Sequence, residues 1–196
     1  LVDAGDGRYD VLPAQWNVAE GVWEPFTPAE DWPAPEYDWG ATCAYCHVTA
    51  LDTATYAWLE DGVQCEACHG PGSVHVTLAD AAGVRPRSGE LAAIRSTIVN
   101  SPDPQICGQC HAAGAAPDGH PYPVGYRPGE PLAESYAVST PGDGSGHWWP
   151  TGHAAKVGMQ FNEWFHSAHA RALETVRGED HADDACLRCH SGDFRY

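Results

Sequence analysis

The chain is poor in the residues from which protein cores are built. Leu, Ile, Val and Phe number nine, three, 14 and four, about 15% of its 196 residues. With a formal charge of −17, so little aliphatic side chain would ordinarily mean disorder. Eight Trp and eight Tyr oppose that reading. No apolar run approaches the ~18 residues of a membrane span, so no spanning helix is expected. No signal-peptide pattern is visible either. Methionine occurs once, as Met159, and lysine once, as Lys156. No cysteine lies outside a single repeated spacing, which leaves none for a disulfide or a spare thiol.

That spacing is Cys-x-x-Cys-His, present four times: Cys43–Cys46–His47, Cys65–Cys68–His69, Cys107–Cys110–His111 and Cys186–Cys189–His190. It is the attachment site of a c-type haem. Two thiols add across the vinyl groups as thioethers, and the following histidine reaches the iron. On one helical turn the first Cys and the His lie four positions apart and share a face. Other chemistries fit less well. A zinc site made of two Cys-x-x-Cys pairs needs no histidine after each pair. A thioredoxin-like motif occurs once and in a βαβ setting. A disulfide framework does not repeat one spacing four times. Four covalent haem c groups are therefore expected, and they supply the missing core.

A largely irregular multihaem cytochrome c fold follows, with short helices and a small N-terminal β hairpin, wrapped around four haems. The 21 Gly and 16 Pro agree. One domain is expected over 1–196, with a haem-free extension at 1–40 and a haem-binding region at 41–196. Haem is attached outside the cytoplasm, so the chain is expected to be exported, with its signal removed. Residues 1–40 hold nine acids against Arg8 alone. Such a field disfavours nucleic acid and anionic lipid and favours basic partners or cations, or serves solubility only.

Weak alternation in Arg8–Pro13 and Gly21–Phe26 suits the hairpin, with the turn at Ala19–Gly21. Prolines keep Asp31–Glu36 extended. Motifs one and two begin 22 residues apart, which implies neighbouring haems. Gly70-Pro71-Gly72 stops the second motif's turn. Ser88 is expected to cap a helix carrying Leu91, Ile94 and Ile98. Asp103-Pro104 opens the third motif's turn. Residues 112–150, rich in Gly and Pro, read as a long loop that covers haem faces. The strongest helical pattern spans Asn162–Arg177, with Phe165, His169, Ala172, Leu173 and Val176 on one side. An acidic break at Glu179-Asp180 precedes motif four.

Seven histidines lie outside the motifs: His75, His120, His147, His153, His166, His169 and His181. Pairing every iron with two histidines needs four of them. Met159 could serve one haem at most, with a raised potential. The order of preference is His169, at the centre of its helical face, then His75, just past the Gly-Pro-Gly turn. His153 and His147, flanking Trp148-Trp149-Pro150, come next, and His166 last. His120 sits in a Pro/Gly loop and His181 in an acidic one, and both read as solvated.

The run from Gly62 to His75, containing Cys65-Glu-Ala-Cys68-His69-Gly70-Pro71-Gly72, resembles a signature of multihaem cytochromes c, including the tetrahaem electron carriers of nitrification. Ile106 with Cys107–His111 is similar to the next haem site of that group. Trp164-x-x-Ser167-x-His169-Ala170 resembles its recurring distal-ligand motif, and Cys186–Phe194 matches its ending. The likeness covers most of 36–194. It implies electron transfer among closely spaced bis-histidine haems, with redox proteins or extracellular acceptors as partners. Other tetrahaem relatives polymerise as extracellular filaments in which one axial histidine comes from the neighbouring subunit, so head-to-tail assembly is a further expectation. Some relatives continue into more haem sites, so this chain, ending six residues after His190, could be a piece of a longer protein. The competing expectation is a haem enzyme acting on nitrogen compounds through an open iron position. It is disfavoured because all four motifs end in His and Lys156 is in none. A third is a docking subunit scaffolded by its haems.

Overall fold

The computed structural model describes residues 1–5, 7–26, 32, 37–100, 103–178 and 183–190, the last two as backbone only. Short helices and two-stranded sheets make up the regular structure. The chain divides into two compact units, Leu1–Ala67 and Cys68–Tyr196.

The first unit opens with two hairpins where the alternation suggested one. Strand β1 (Val2–Gly5) pairs with β2 (Arg8–Asp10), and β3 (Ala14–Asn17) pairs with β4 (Val22–Pro25), both antiparallel. The cause is local. The Asn17 side-chain oxygen accepts from the N–H groups of Ala19 (3.1 Å) and Glu20 (3.2 Å). That Asx geometry turns the chain immediately after β3, so 14–17 takes the partner that the pattern had given to 8–13. Trp16 then stands opposite Trp23, edge to face at 5.7 Å. Val11 N–H donates to Tyr37 O (2.7 Å), fastening the end of β2 to the entry of α1 (Trp39–Thr42). The carboxylate of Asp38 caps α1 by accepting from Ala41 N–H. Helix α2 (Ala44–His47) follows directly, then β5 (Val48–Thr49), which pairs with β6 (Glu60–Asp61). Apart from Trp32, the Asp31–Glu36 stretch lies outside the described residues.

Helix α3 (Cys65–His69) contains the division between the units. Gly70, at φ +73°, ends it, a conformation that glycine adopts without penalty. The chain re-enters helix at once in α4 (Ser73–Ala82), which the sequence did not announce, and continues into α5 (Ser88–Arg95). Ser88 is the first helical residue of α5 and not its cap. The Glu90 carboxylate closes the end by accepting from Arg87 N–H at 2.7 Å. The helix stops at Arg95, so Ile98 falls beyond it. Helix α6 (Gln105–His111) begins one residue later than the Asp103-Pro104 pair suggested: Pro104 is the cap position, and the Asp103 carboxylate accepts from Gln105 N–H at 3.0 Å.

The 112–150 segment is mostly turns, with a short pair β7 (Gly114–Ala115) and β8 (Ala137–Val138) and a 3-10 turn at Leu132–Glu134. It does more than cover a surface. Ala116, Tyr126, Leu132 and Tyr136 from this loop join Phe161 in a buried cluster. The Tyr136 hydroxyl donates to Pro121 O at 2.6 Å. The polypeptide thus has a small core of its own beside any that haem supplies.

The expected helix over Asn162–Arg177 is three pieces: α7 (Gln160–His166), a 3-10 turn at Ala168–Arg171, and α8 (Ala172–Gly178). The break is at Ser167, whose backbone is extended (φ −83°, ψ 162°) and whose hydroxyl donates to Trp164 O at 2.7 Å. A serine bonding back to its own turn competes with helix continuation. Phe165 and His169 therefore share no continuous apolar face with Leu173 and Val176, and both are exposed. Helix α9 (Asp184–His190) carries the fourth motif; Glu179, Asp180 and His181 lie outside the described residues.

Candidate haem-binding sites

Each Cys-x-x-Cys-His motif lies on a helical turn: motif one on Cys43 and α2, motif two on α3, motif three within α6 and motif four within α9. A helix is what this spacing needs, because it brings the first Cys and the His to one face. None of the seven cysteines whose side chains are described forms a disulfide. Cys65, Cys68 and Cys107 are exposed, while Cys43, Cys46, Cys110 and Cys186 are half-buried. The side chains of Cys189 and His190 are not among those described.

The motif histidines differ in what holds them. The His69 Nδ1 lies 2.7 Å from Val99 O, and Val99 N–H donates back to His69 O at 2.9 Å. The His111 Nδ1 lies 3.3 Å from the Gln160 side-chain oxygen. With the proton on Nδ1, both rings leave Nε2 as a lone pair for a metal, the arrangement in which ligating histidines usually occur. His47 instead packs its ring against Trp39, with centroids 5.6 Å apart.

Two frames position these turns. In the first unit, the Thr49 hydroxyl donates to Gly62 O and accepts from Gln64 N–H, both at 2.9 Å. Thr49, two positions past motif one, is thereby tied to the residue just before motif two. In the second unit, Asn162 is fully buried. Its oxygen accepts from Ala113 N–H at 2.8 Å, and its amide donates to Ala113 O at 2.8 Å and Ser139 O at 2.9 Å. This locks α7 against the chain just past His111. Gly108, between the two cysteines of motif three, lies so close to the core that an added Cβ would meet Leu132 at 2.7 Å and Phe161 at 3.0 Å.

Among the candidate distal histidines, His75 is the most clearly organised. It is half-buried on α4, and its Nδ1 lies 3.0 Å from Ile94 O of α5, leaving Nε2 open as in His69. His169 is exposed in the 3-10 turn, so its imidazole is accessible even though the helical face behind its ranking does not exist. His147 is half-buried, with an Nδ1 that is buried and unpartnered among the described residues. His153 is exposed, 3.8 Å from a Glu163 carboxylate oxygen. His166, ranked last, is half-buried beside Trp148, and its Nε2 is buried without a partner among the described residues. It borders a cleft of about 400 Å³ walled by Phe161, Trp164, Phe165, Arg171 and Glu174. His120 is not simply solvated: it pairs with Asp118 at 3.0 Å and holds that carboxyl below its usual range. Sequence reading missed Gln160, Asn162, Thr49 and Trp39. Their roles come from chain returns of up to 49 residues that no local pattern encodes.

The residues present fit haem c. Unlinked thiols stand at thioether spacing on helical turns, and two motif histidines have an engaged Nδ1 and a free Nε2. Apolar side chains near the second motif also stand exposed: Leu59, Val63, Val74 and Val76. Among the described residues, no helix is long and apolar enough to cross a membrane.

Residues 27–70, spanning motifs one and two, match the family of cytochrome c554 and c-prime. No curated protein matches the chain. Among solved structures, the chain is similar to the outer cell wall cytochrome OcwA, at 37% identity and a TM-score of 0.72 over 95% of its length. It spans 39% of the length of that protein. The attachment motifs, the family match across two of them and the shared fold place the chain among the multihaem c-type cytochromes.

Proposed function

We propose that the chain carries single electrons through four closely spaced haem c groups, each held by two histidines. The observation that carries this reading is the use of all eight cysteines in four Cys-x-x-Cys-His motifs. Haem c, when bound, supplies a one-electron ferric–ferrous couple. The chain's own residues hold and tune it. Cys43, Cys46, Cys65, Cys68, Cys107, Cys110, Cys186 and Cys189 anchor the groups. His47, His69, His111 and His190 are the proximal ligands, and His75, His169, His153 and His147 the distal candidates. Hydrogen bonds from Nδ1 orient the rings and raise their basicity. The acidic surroundings favour the ferric state and lower the potentials. The partners are redox proteins or extracellular acceptors.

An extracytoplasmic location accords with covalent haem attachment and with the outer cell wall assignment of the similar cytochrome. Head-to-tail assembly is the finer proposal. It is supported by the exposed, edge-to-face Trp16 and Trp23, which no described haem motif adjoins in sequence; aromatic residues of this kind are enriched at interfaces, and a non-closing contact gives a filament.

The test is intact mass under denaturing conditions, followed by visible spectra with and without cyanide. Four haems' added mass, and low-spin spectra that cyanide leaves unchanged, are expected. Three or fewer haems would refute the site assignment. A high-spin haem that binds cyanide would favour the haem-enzyme reading. Electron microscopy and light scattering test assembly: a monodisperse monomer with four saturated haems at high concentration would refute it.

A further inference from the structure

Motifs two and three both have a described acceptor on Nδ1 of the proximal histidine, but of different kinds. His69 faces a backbone carbonyl, that of Val99. His111 faces a side chain, that of Gln160. The backbone acceptor is fixed by the chain trace, whereas the side-chain acceptor is set by the identity of one residue.

Gln160 is exposed, but the segment that carries it is held in place. It opens α7, and α7 is locked two residues later by Asn162. His111 closes α6, and Ala113, two residues later, receives the Asn162 fork. Both contacts have the same sequence offset of 49 residues. Two side chains two positions apart on one segment thus grip two residues two positions apart on the other. The Asn162 amide orientation is determined, because Ala113 N–H needs an oxygen and the carbonyls of Ala113 and Ser139 need the NH₂. The lock therefore fixes the α7 end from which Gln160 reaches His111. Gly108 adds a third constraint, since α6 cannot move toward the core without meeting Leu132 and Phe161.

We propose that Gln160 is a positioning residue that sets the reduction potential of the third haem, separately from the others. The inference rests on haem c being attached at Cys107 and Cys110 with His111 on the iron. The His111 Nδ1–H donates to the Gln160 carbonyl oxygen. A stronger acceptor there gives the imidazole more anionic character and stabilises ferric iron, while losing the acceptor does the reverse. A neutral amide places this site between those extremes.

The experiment compares the haem-loaded chain with Gln160→Glu, Gln160→Leu and Gln160→Met by spectroelectrochemical titration, with NMR of the exchangeable His111 ring proton. Intact mass and far-UV circular dichroism come first. If the wild-type mass lacks a haem at motif three, the underlying reading fails and the inference with it. With all haems present, Gln160→Glu is expected to lower one potential and Gln160→Leu and Gln160→Met to raise the same one. The expected size is about a tenfold change in that haem's ferric-to-ferrous ratio at fixed potential, or about 59 mV for one electron. The His111 ring proton should exchange faster in the Leu and Met variants. A mere charge effect would let Glu act, across several haems, while Leu and Met do nothing. That pattern, or unchanged potentials in all three variants, overturns the proposal. Gln160→Met guards against a folding defect specific to Leu.

Discussion

Replacing Asn162 by leucine removes a fully buried side-chain amide from the second unit's core while nearly keeping its volume. The amide makes three hydrogen bonds, to Ala113 N–H, Ala113 O and Ser139 O. Ala113 O keeps a second donor in Ser139 N–H at 2.9 Å. Two backbone groups, Ala113 N–H and Ser139 O, lose this partner. Each such loss costs about 1–3 kcal/mol when water cannot replace the partner. Partial relaxation puts the sum at about 3 kcal/mol. For a chain of this length that corresponds to a fall in Tm of about 6–12 °C. Asn162→Asp should cost at least as much at neutral pH, because it retains the acceptor but buries a charge that offers no donor. The assay is thermal unfolding of the haem-loaded protein, followed by far-UV and Soret circular dichroism. A fall of less than about 2 °C for Asn162→Leu would mean that the fork does not lock α7.

Other outcomes follow from single residues. The buried Tyr126 hydroxyl, without a partner among the described residues, is pushed up to about 12 by burial and then by the charges of Asp103 and Glu130. Its folded-state value lies above the unfolded one near 10, so its contribution is present below pH ~10 and lost as pH rises toward ~12; Tyr126→Phe should flatten that decline relative to wild type in alkaline denaturation. Gly108→Val should overpack against Leu132 and Phe161 and cost about 1–3 kcal/mol, read as a lower denaturation midpoint. His169→Ala should convert about one haem from low to high spin, and an unchanged spectrum would show that His169 is no ligand. Chain produced without haem maturation should show no cooperative thermal transition, since the aliphatic content is too low to fold it alone.

The four Cys-x-x-Cys-His turns were legible because the spacing is strictly local and the helical turn that carries it is local too. The stop at Gly70 was legible for the same reason, and the start of α6 to within one residue. Register and continuity were not. Asn17 turned the chain early and gave two hairpins, a decision made by one side-chain oxygen. Ser167 split what periodicity joined, because apolar residues recur equally well on either side of a break. The Tyr126, Leu132 and Tyr136 core hid in a segment without periodicity, where turns and not elements bring side chains inward. The ranking of His169 above His166 rested on the helical face that Ser167 removes. The supports of the site, Thr49, Asn162 and Gln160, lie far in sequence from what they hold.

The central claim is that this chain is a carrier of one electron per motif. Coulometric titration of mass-verified protein, monitored in the visible region, tests it most directly. Four reversible one-electron steps per chain are predicted, with low-spin spectra in both the oxidised and reduced forms. Fewer than four electrons, or a haem that turns high-spin on reduction and binds an added ligand, would contradict the account.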